Sequence, residues 1–277
     1  ITVGRLLADG GVTITKDVPF GDHPRLKCDI YEPEAGAAAD DPVVHFIYGG
    51  SWDTGEKACY RAIGAALAAH GIRTVIGDYR LYPEVSFPAF NEDMANAYAF
   101  TCDRFGQEAP APVLVGHSAG AHIAALLIGD DRYLAALERD VPRPSAFVGM
   151  SGPYAFDPTT WDTTAHIFAT TTDNPDAARP VTFASRSFPP TLLIHGSRDQ
   201  LVTPNASVAM RDALSEAGAE VTLKTYGLLA HGGTVMAMVR PLRWVTPVFD
   251  DMLSFVRAHG TGRAAERVKT GEAAPSA

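Results

Sequence analysis

Gly116-His117-Ser118-Ala119-Gly120 sets a serine between two glycines, directly after the apolar run Pro112–Val115 and directly before Ala121–Ile128. A serine hydroxyl becomes a useful nucleophile only when the backbone lifts it clear of its surroundings and a base takes its proton. A strand through Val115 and a helix beginning after Ser118 would form such a turn. Glycines at 116 and 120 remove the Cβ atoms that would strike the neighbouring strand or helix. Gly and Ser also suit ordinary turns, so the assignment depends on partners elsewhere in the chain.

A base and an acid are both supplied further along. Of nine histidines, His231 and His259 alone follow Asp199; His259 closes the last predicted helix, whereas His231 sits on the loop after the predicted strand Ala219–Tyr226. His231 is therefore assigned as general base toward Ser118 and then as general acid toward the leaving group. Asp199, in the polar loop after the apolar run Thr191–His195, would fix its tautomer. Asp162 is the rival acid, but no strand precedes it. The other eight histidines are read as hydrogen-bonded structural residues.

Acyl transfer also places negative charge on a carbonyl oxygen, and each aimed donor there is worth about 10²–10³ in rate. Tyr48-Gly49-Gly50-Ser51-Trp52 follows the predicted strand Pro42–Ile47, and its glycines let main-chain N–H groups approach a reacting carbonyl. The N–H groups of Gly50, Ser51 and Ala119 are the expected oxyanion donors; the alternative is a plain glycine turn capping a strand.

The elements that must carry these residues alternate strand and helix, which predicts an α/β fold with a mostly parallel sheet and helices on both faces. Val12–Lys16 and Leu26–Tyr31 are expected as opening antiparallel strands. Helices are expected at 57–70, 91–103, 118–128 and 205–217, with strands at 74–76 and 146–150. A last helical stretch, 235–259, is interrupted by Pro241 and Pro247. Periodicity fades between Ser151 and Pro190, so residues from about 153 to 190 are read as a lid or pocket wall rather than a surface insertion. Trp52, Tyr154 and Trp161 are its candidate pocket residues. Residues 1–259 are expected to form one catalytic domain and 260–277 a frayed tail.

Several of these strings resemble a known family. Tyr48-Gly49-Gly50-Ser51-Trp52 is similar to the H-G-G-x-W oxyanion motif of bacterial esterases and formamidases. Asp78-Tyr79-Arg80-Leu81-Tyr82-Pro83-Glu84 with Phe87-Pro88-Ala89 resembles the D-Y-R-L-x-P-E…F-P-A signature of feruloyl-esterase-like and hormone-sensitive-lipase-like hydrolases. The resemblance runs from about Val12 to His259 and implies the α/β-hydrolase fold, whose Ser, acid, His order this chain follows. It implies a cofactor-free serine carboxylesterase acting on small to medium esters through an acyl-enzyme. The same motifs admit an arylformamidase acting on N-formylkynurenine-type amides, and from a different class a noncatalytic small-ligand-binding homologue. Tyr48 stands where the family usually has histidine, which puts the bracing of the loop in question; His117 stands where lipase-like relatives more often carry an acid. Few residues precede the predicted strand at Pro42, which leaves no room for a large N-terminal cap.

Composition narrows the partners. A net charge of −9 disfavours nucleic acid and anionic membrane surfaces, and 277 residues that are 46% hydrophobic suffice for one buried core. Cys28, Cys59 and Cys102 are widely spaced, and buried thiols are expected rather than a zinc knot or a disulfide framework. No metal motif and no phosphate-binding lysine motif is present. The uncharged stretch Ala109–Gly129 holds two prolines, three glycines and two histidines, which fits a strand, turn and helix rather than a membrane span. The chain opens at Ile1 with no secretory signal in view, and similar hydrolases often carry a leader, so the sequence assigns neither compartment nor oligomeric state.

Overall fold

The computed structural model describes residues 11–106 and 110–261. The expected tail falls almost wholly outside them. Among the described residues eight strands form one sheet: β1 (Val12–Pro19), β2 (Lys27–Pro33), β3 (Val43–Ile47), β4 (Arg73–Gly77), β5 (Val113–His117), β6 (Phe147–Met150), β7 (Thr191–Gly196) and β8 (Val221–Tyr226). Their spatial order is β1-β2-β4-β3-β5-β6-β7-β8. β1 pairs antiparallel with β2, and β2 with β4, while all the remaining pairs are parallel. β3, β5, β6 and β7 are buried along their whole length, because helices cover both faces; hence their sequences are continuous apolar runs rather than alternating ones.

The helices are α1 (Arg61–Ala68), α2 (Ala89–Phe105), α3 (Ala119–Gly129), α4 (Arg132–Ala135), α5 (Asn205–Glu216), α6 (Gly233–Met236) and α7 (Val248–His259). α3 is apolar all round and buried from Ala119 to Ile128, as befits a helix enclosed on every side. From β3 the chain crosses to β4 on one side, and from β5 it crosses to β6 on the other. The loops leaving β3 and β5 therefore diverge, and a crevice opens between them at the carboxyl ends of the strands. Both the 48–52 loop and Ser118 lie at this switch point.

Two local expectations need correction. The stretch 235–259 is not one interrupted helix: α6 ends at Met236, a 3-10 turn covers Arg240–Leu242, and α7 starts afresh behind Pro247, since proline can open a helix but not continue one. Of the cysteines, Cys28 is buried and its thiol is pushed up to about 12, but Cys59 is exposed and Cys102 half-buried; all three are free.

The 151–190 segment has no strand and three short 3-10 turns, yet it is tightly packed. Phe87 N–H donates to the Ile167 carbonyl, the Thr170 hydroxyl to the Phe87 carbonyl, and the His122 ring to the Ala178 carbonyl. Phe168 stacks on Phe87 and meets Trp52 edge-on. The segment is a wall fixed to α2 and α3.

Burial sets the acid tolerance of this core. His45 and His117 are lowered to about 3 and His122 to about 4, by desolvation first in each case, so all three stay neutral in the folded protein over most of the acidic range. Unfolded, they take up protons below the ordinary histidine value of about 6.5. The unfolded state then binds more protons than the native one, and stability falls as pH falls from about 6.5 toward 4, by roughly 1.4 kcal/mol per histidine per pH unit. Calorimetry is expected to show Tm nearly level from pH 8 to 7 and dropping steeply between 6 and 4.5. A level Tm down to pH 4.5 would contradict the neutral burial of these rings.

Candidate active site

Ser118 sits at φ 53 and ψ −123, between β5 and α3. This positive-φ conformation costs free energy in a residue with a Cβ, and the surroundings enforce it. A Cβ on Gly120 would lie 2.1 Å from the Ile47 carbonyl oxygen, and one on Gly116 2.5 Å from Ala121 Cα, so the turn closes only with glycine at both places.

His231 and Asp199 converge on this serine from the loops after β8 and β7. His231 Nε2 lies 2.8 Å from Ser118 Oγ, and His231 Nδ1 lies 2.8 Å from Asp199 Oδ2. With Nδ1–H donated to the carboxylate, Nε2 keeps the lone pair that accepts the serine proton. Asp199 is buried, and its Oδ1 accepts the Leu201 and Val202 N–H groups at 3.0 and 2.9 Å, so the carboxylate is anchored before it meets the imidazole. Asp162 is exposed on the wall segment, and His259 lies 3.9 Å from Glu220 at the end of α7.

The loop after β3 comes hard against Ser118: a Cβ on Gly49 would sit 2.8 Å from Ser118 Cβ. Gly50 takes φ 148, and its carbonyl accepts the Asp53 and Thr54 N–H groups, while Ser51 and Trp52 follow at φ 51 and 62. Among the described residues, the N–H groups of Gly50 and Ser51 donate to no other group. The Ala119 N–H opens α3 and has no acceptor within the helix.

Tyr48, the departure from the family's histidine, braces this loop from below. Its buried ring stacks on Tyr79 at 4.7 Å and Tyr60 at 5.6 Å, and its hydroxyl donates to Asp78 at 2.9 Å. Asp78 also accepts the Lys57 main-chain N–H, and Arg25 reaches the Tyr48 hydroxyl and the Gly55 carbonyl. The Tyr79 hydroxyl holds the Tyr48 carbonyl at 3.0 Å, and the Tyr60 hydroxyl takes the Gly49 N–H at 3.2 Å. The Tyr60 hydroxyl is also 3.1 Å from His117 Nδ1, so the turn bearing Ser118 and the glycine loop share one anchor. Burial keeps His117 neutral, with its pKa down to about 3.

Over Ser118 lies a cleft of about 190 Å³, small beside a typical ligand pocket of roughly 300–1,000 Å³. Trp52 forms its floor, Phe156 stacks on Trp52 with centroids 6.0 Å apart, and Trp161 stands edge-on to Phe156 at the rim, 52% exposed. Leu201, Val202 and Ala206 line the opposite side. Among the described residues, none of the side chains lining this cleft is an acid, a lysine or an arginine. Tyr154 is a correction: it does not line the cleft but is fully buried behind β6, in the space left by Gly149 and Gly152, where a Cβ would lie 2.0 and 2.3 Å from its ring or hydroxyl. Phe156, two residues on, takes the pocket position, and a two-residue offset in an irregular segment carries no periodic signal to reveal it. The apolar pair Leu201-Val202, just after Asp199 in a loop, was the available clue to the far wall.

Among the described residues no group of three or more His, Cys, Asp or Glu side chains could hold a metal ion, and no helix is long and apolar enough to cross a membrane.

The BD-FAE family model matches residues 28–214. Isoprenylcysteine alpha-carbonyl methylesterase ICME of Arabidopsis thaliana is 29% identical, over 88% of this chain and 62% of its own length. Esterase LipC of Mycobacterium tuberculosis (strain ATCC 25618 / H37Rv) is 30% identical, over 67% of this chain and 51% of its own. The chain thus spans at most about three-fifths of these two relatives. Among solved structures, esterase B from Lactobacillus rhamnosis, inhibited by a tributyrin phosphonate, superimposes with a TM-score of 0.79 at 19% identity, covering 96% of this chain and 91% of that one. That likeness gives the fold: the chain has the α/β-hydrolase fold.

Proposed function

We propose that this chain, which belongs to the BD-FAE family, is a serine carboxylesterase that hydrolyses small to medium uncharged esters through an acyl-enzyme. The observation that carries the reading is the unbroken series from Ser118 Oγ through His231 to Asp199, with both links at 2.8 Å, beside a loop whose N–H groups are unspent. Ser118 Oγ attacks the ester carbonyl as its proton passes to His231 Nε2. Charge gathers on the carbonyl oxygen, where the N–H groups of Gly50, Ser51 and Ala119 receive it. Asp199 steadies the imidazolium without taking its proton. His231 then protonates the departing alcohol, and water, deprotonated by the same imidazole, releases the acid and restores the serine. The catalytic domain extends, on this reading, through α7.

The uncharged cleft favours esters over N-formylkynurenine, whose amino-acid end would need a charged partner. Side-by-side turnover of p-nitrophenyl acetate, butyrate and octanoate against N-formylkynurenine tests this. Higher kcat/KM for acetate or butyrate than for the formamide is expected; a preference for the formamide would replace the ester reading with the formamidase one. Inertness toward all four, with no labelling by a fluorophosphonate, would leave a noncatalytic binding protein.

A further inference from the structure

His195 closes β7 four residues before Asp199 and has no part in the chemistry described above. It is fully buried, and every polar atom of its ring is engaged. Its Nδ1 lies 2.7 Å from the Ser207 hydroxyl on α5, its Nε2 lies 2.8 Å from the Val202 carbonyl, and the same Nε2 is 3.2 Å from Asp199 Oδ2. Because a carbonyl can only accept, Nε2 must carry the proton, and Nδ1 accepts from Ser207. The oxygen that takes His231 Nδ1–H therefore faces a second imidazole N–H as well. Burial lowers the His195 pKa, which favours the neutral ring.

We propose that His195 is a positioning residue for the Ser118, His231, Asp199 series: its neutral Nε2–H edge, bonded to the Val202 carbonyl, lies 3.2 Å from Asp199 Oδ2, and the positive end of that N–H dipole steadies the carboxylate oxygen that takes His231. The inference rests on the esterase reading of Ser118. The Val202 N–H bonds Asp199 Oδ1 while the Val202 carbonyl takes His195, so one residue, itself a wall of the cleft, ties the second imidazole to the acid. The other titratable group facing His231 is His117, its ring centroid 5.3 Å away on the nucleophile turn and likewise neutral. With both neighbours uncharged, the carboxylate's division between His195 and His231 governs how firmly His231 holds a proton.

The test is the pH dependence of kcat/KM for p-nitrophenyl butyrate in wild type, His195→Leu and His195→Gln. In His195→Leu the carboxylate turns wholly to His231, the imidazolium is favoured, and the acid limb is expected to move to higher pH by roughly 0.5 to 1. The plateau should also fall, by about tenfold, as the carboxylate loses its polar neighbour and the Val202 carbonyl its donor. His195→Gln, which restores an N–H donor at the same reach, should return the limb to within about 0.2 of wild type. A limb unmoved in His195→Leu, whatever the plateau does, overturns the proposal and leaves His195 a packing residue. Wild-type protein without ester turnover would instead remove the esterase reading. Long-range ¹H–¹⁵N correlation spectra of the wild type test the tautomer without any turnover or variant: a neutral Nε2–H imidazole for His195 at pH 7.5 is expected, and an Nδ1–H tautomer or a doubly protonated ring at that pH overturns the proposal.

Discussion

Ser118→Ala is expected to lower kcat toward p-nitrophenyl butyrate on the order of 10⁶-fold while leaving the fold intact. The hydroxyl is the only atom removed, and it is the one 2.8 Å from His231 Nε2. Ser51 also lines the cleft, but no base is bonded to its hydroxyl among the described residues, so it offers no substitute. Alanine keeps the Cβ and hence the same strained φ of 53, and the turn remains enforced by the tight packing of Gly116 and Gly120. Tm should therefore stay within a few degrees of wild type, as surface and isosteric changes of about 0.5 kcal/mol allow. A variant that retained a tenth of its turnover would take Ser118 out of the mechanism.

The second large effect is Asp199→Asn, expected to lower kcat by about 10⁴ by analogy with other triads. An amide can present its NH₂ to His231 Nδ1, which then becomes the acceptor and moves the ring proton to Nε2, where it confronts the serine hydroxyl instead of receiving its proton. The other carboxylate oxygen already accepts two main-chain N–H groups, so the amide is steered into this orientation, with its oxygen on Leu201 and Val202. Pre-steady-state kinetics with p-nitrophenyl acetate should show both acylation and deacylation slowed, since the same imidazole is the base in each. Loss of less than about tenfold would mean that Asp199 does not set the tautomer.

Much of this site was legible in the sequence because its parts announce themselves locally. Glycines at 116, 120, 49 and 50 mark places where backbones nearly touch, and the structure shows Cβ clearances under 3.0 Å at each. Apolar runs at β3, β5 and β7 end in the loops that bear Ser51, Ser118 and Asp199, since a parallel sheet delivers its strand ends to one edge. His231 followed from elimination. What was illegible depended on tertiary partners. Tyr154 and Phe156 are both aromatic and two residues apart, and only the hollow at Gly149 and Gly152 decides which turns inward. His195 and His117 read as structural histidines, and they are hydrogen-bonded as expected, but what they meet is set by folding: His195 turns back against Asp199 four residues on, and His117 meets Tyr60 from a distant segment. Tyr48 departs from the family's histidine, yet bracing is recovered by a stack of three tyrosines that no linear motif records.

The central claim is that one hydroxyl, activated by one imidazole, carries the acyl group. Incubation with a fluorophosphonate followed by intact-mass measurement and peptide mapping tests it directly. A single adduct per chain, located on Ser118 and formed far more slowly in His231→Ala, is the predicted result; an adduct on any other residue, or one whose rate is indifferent to His231, would contradict it.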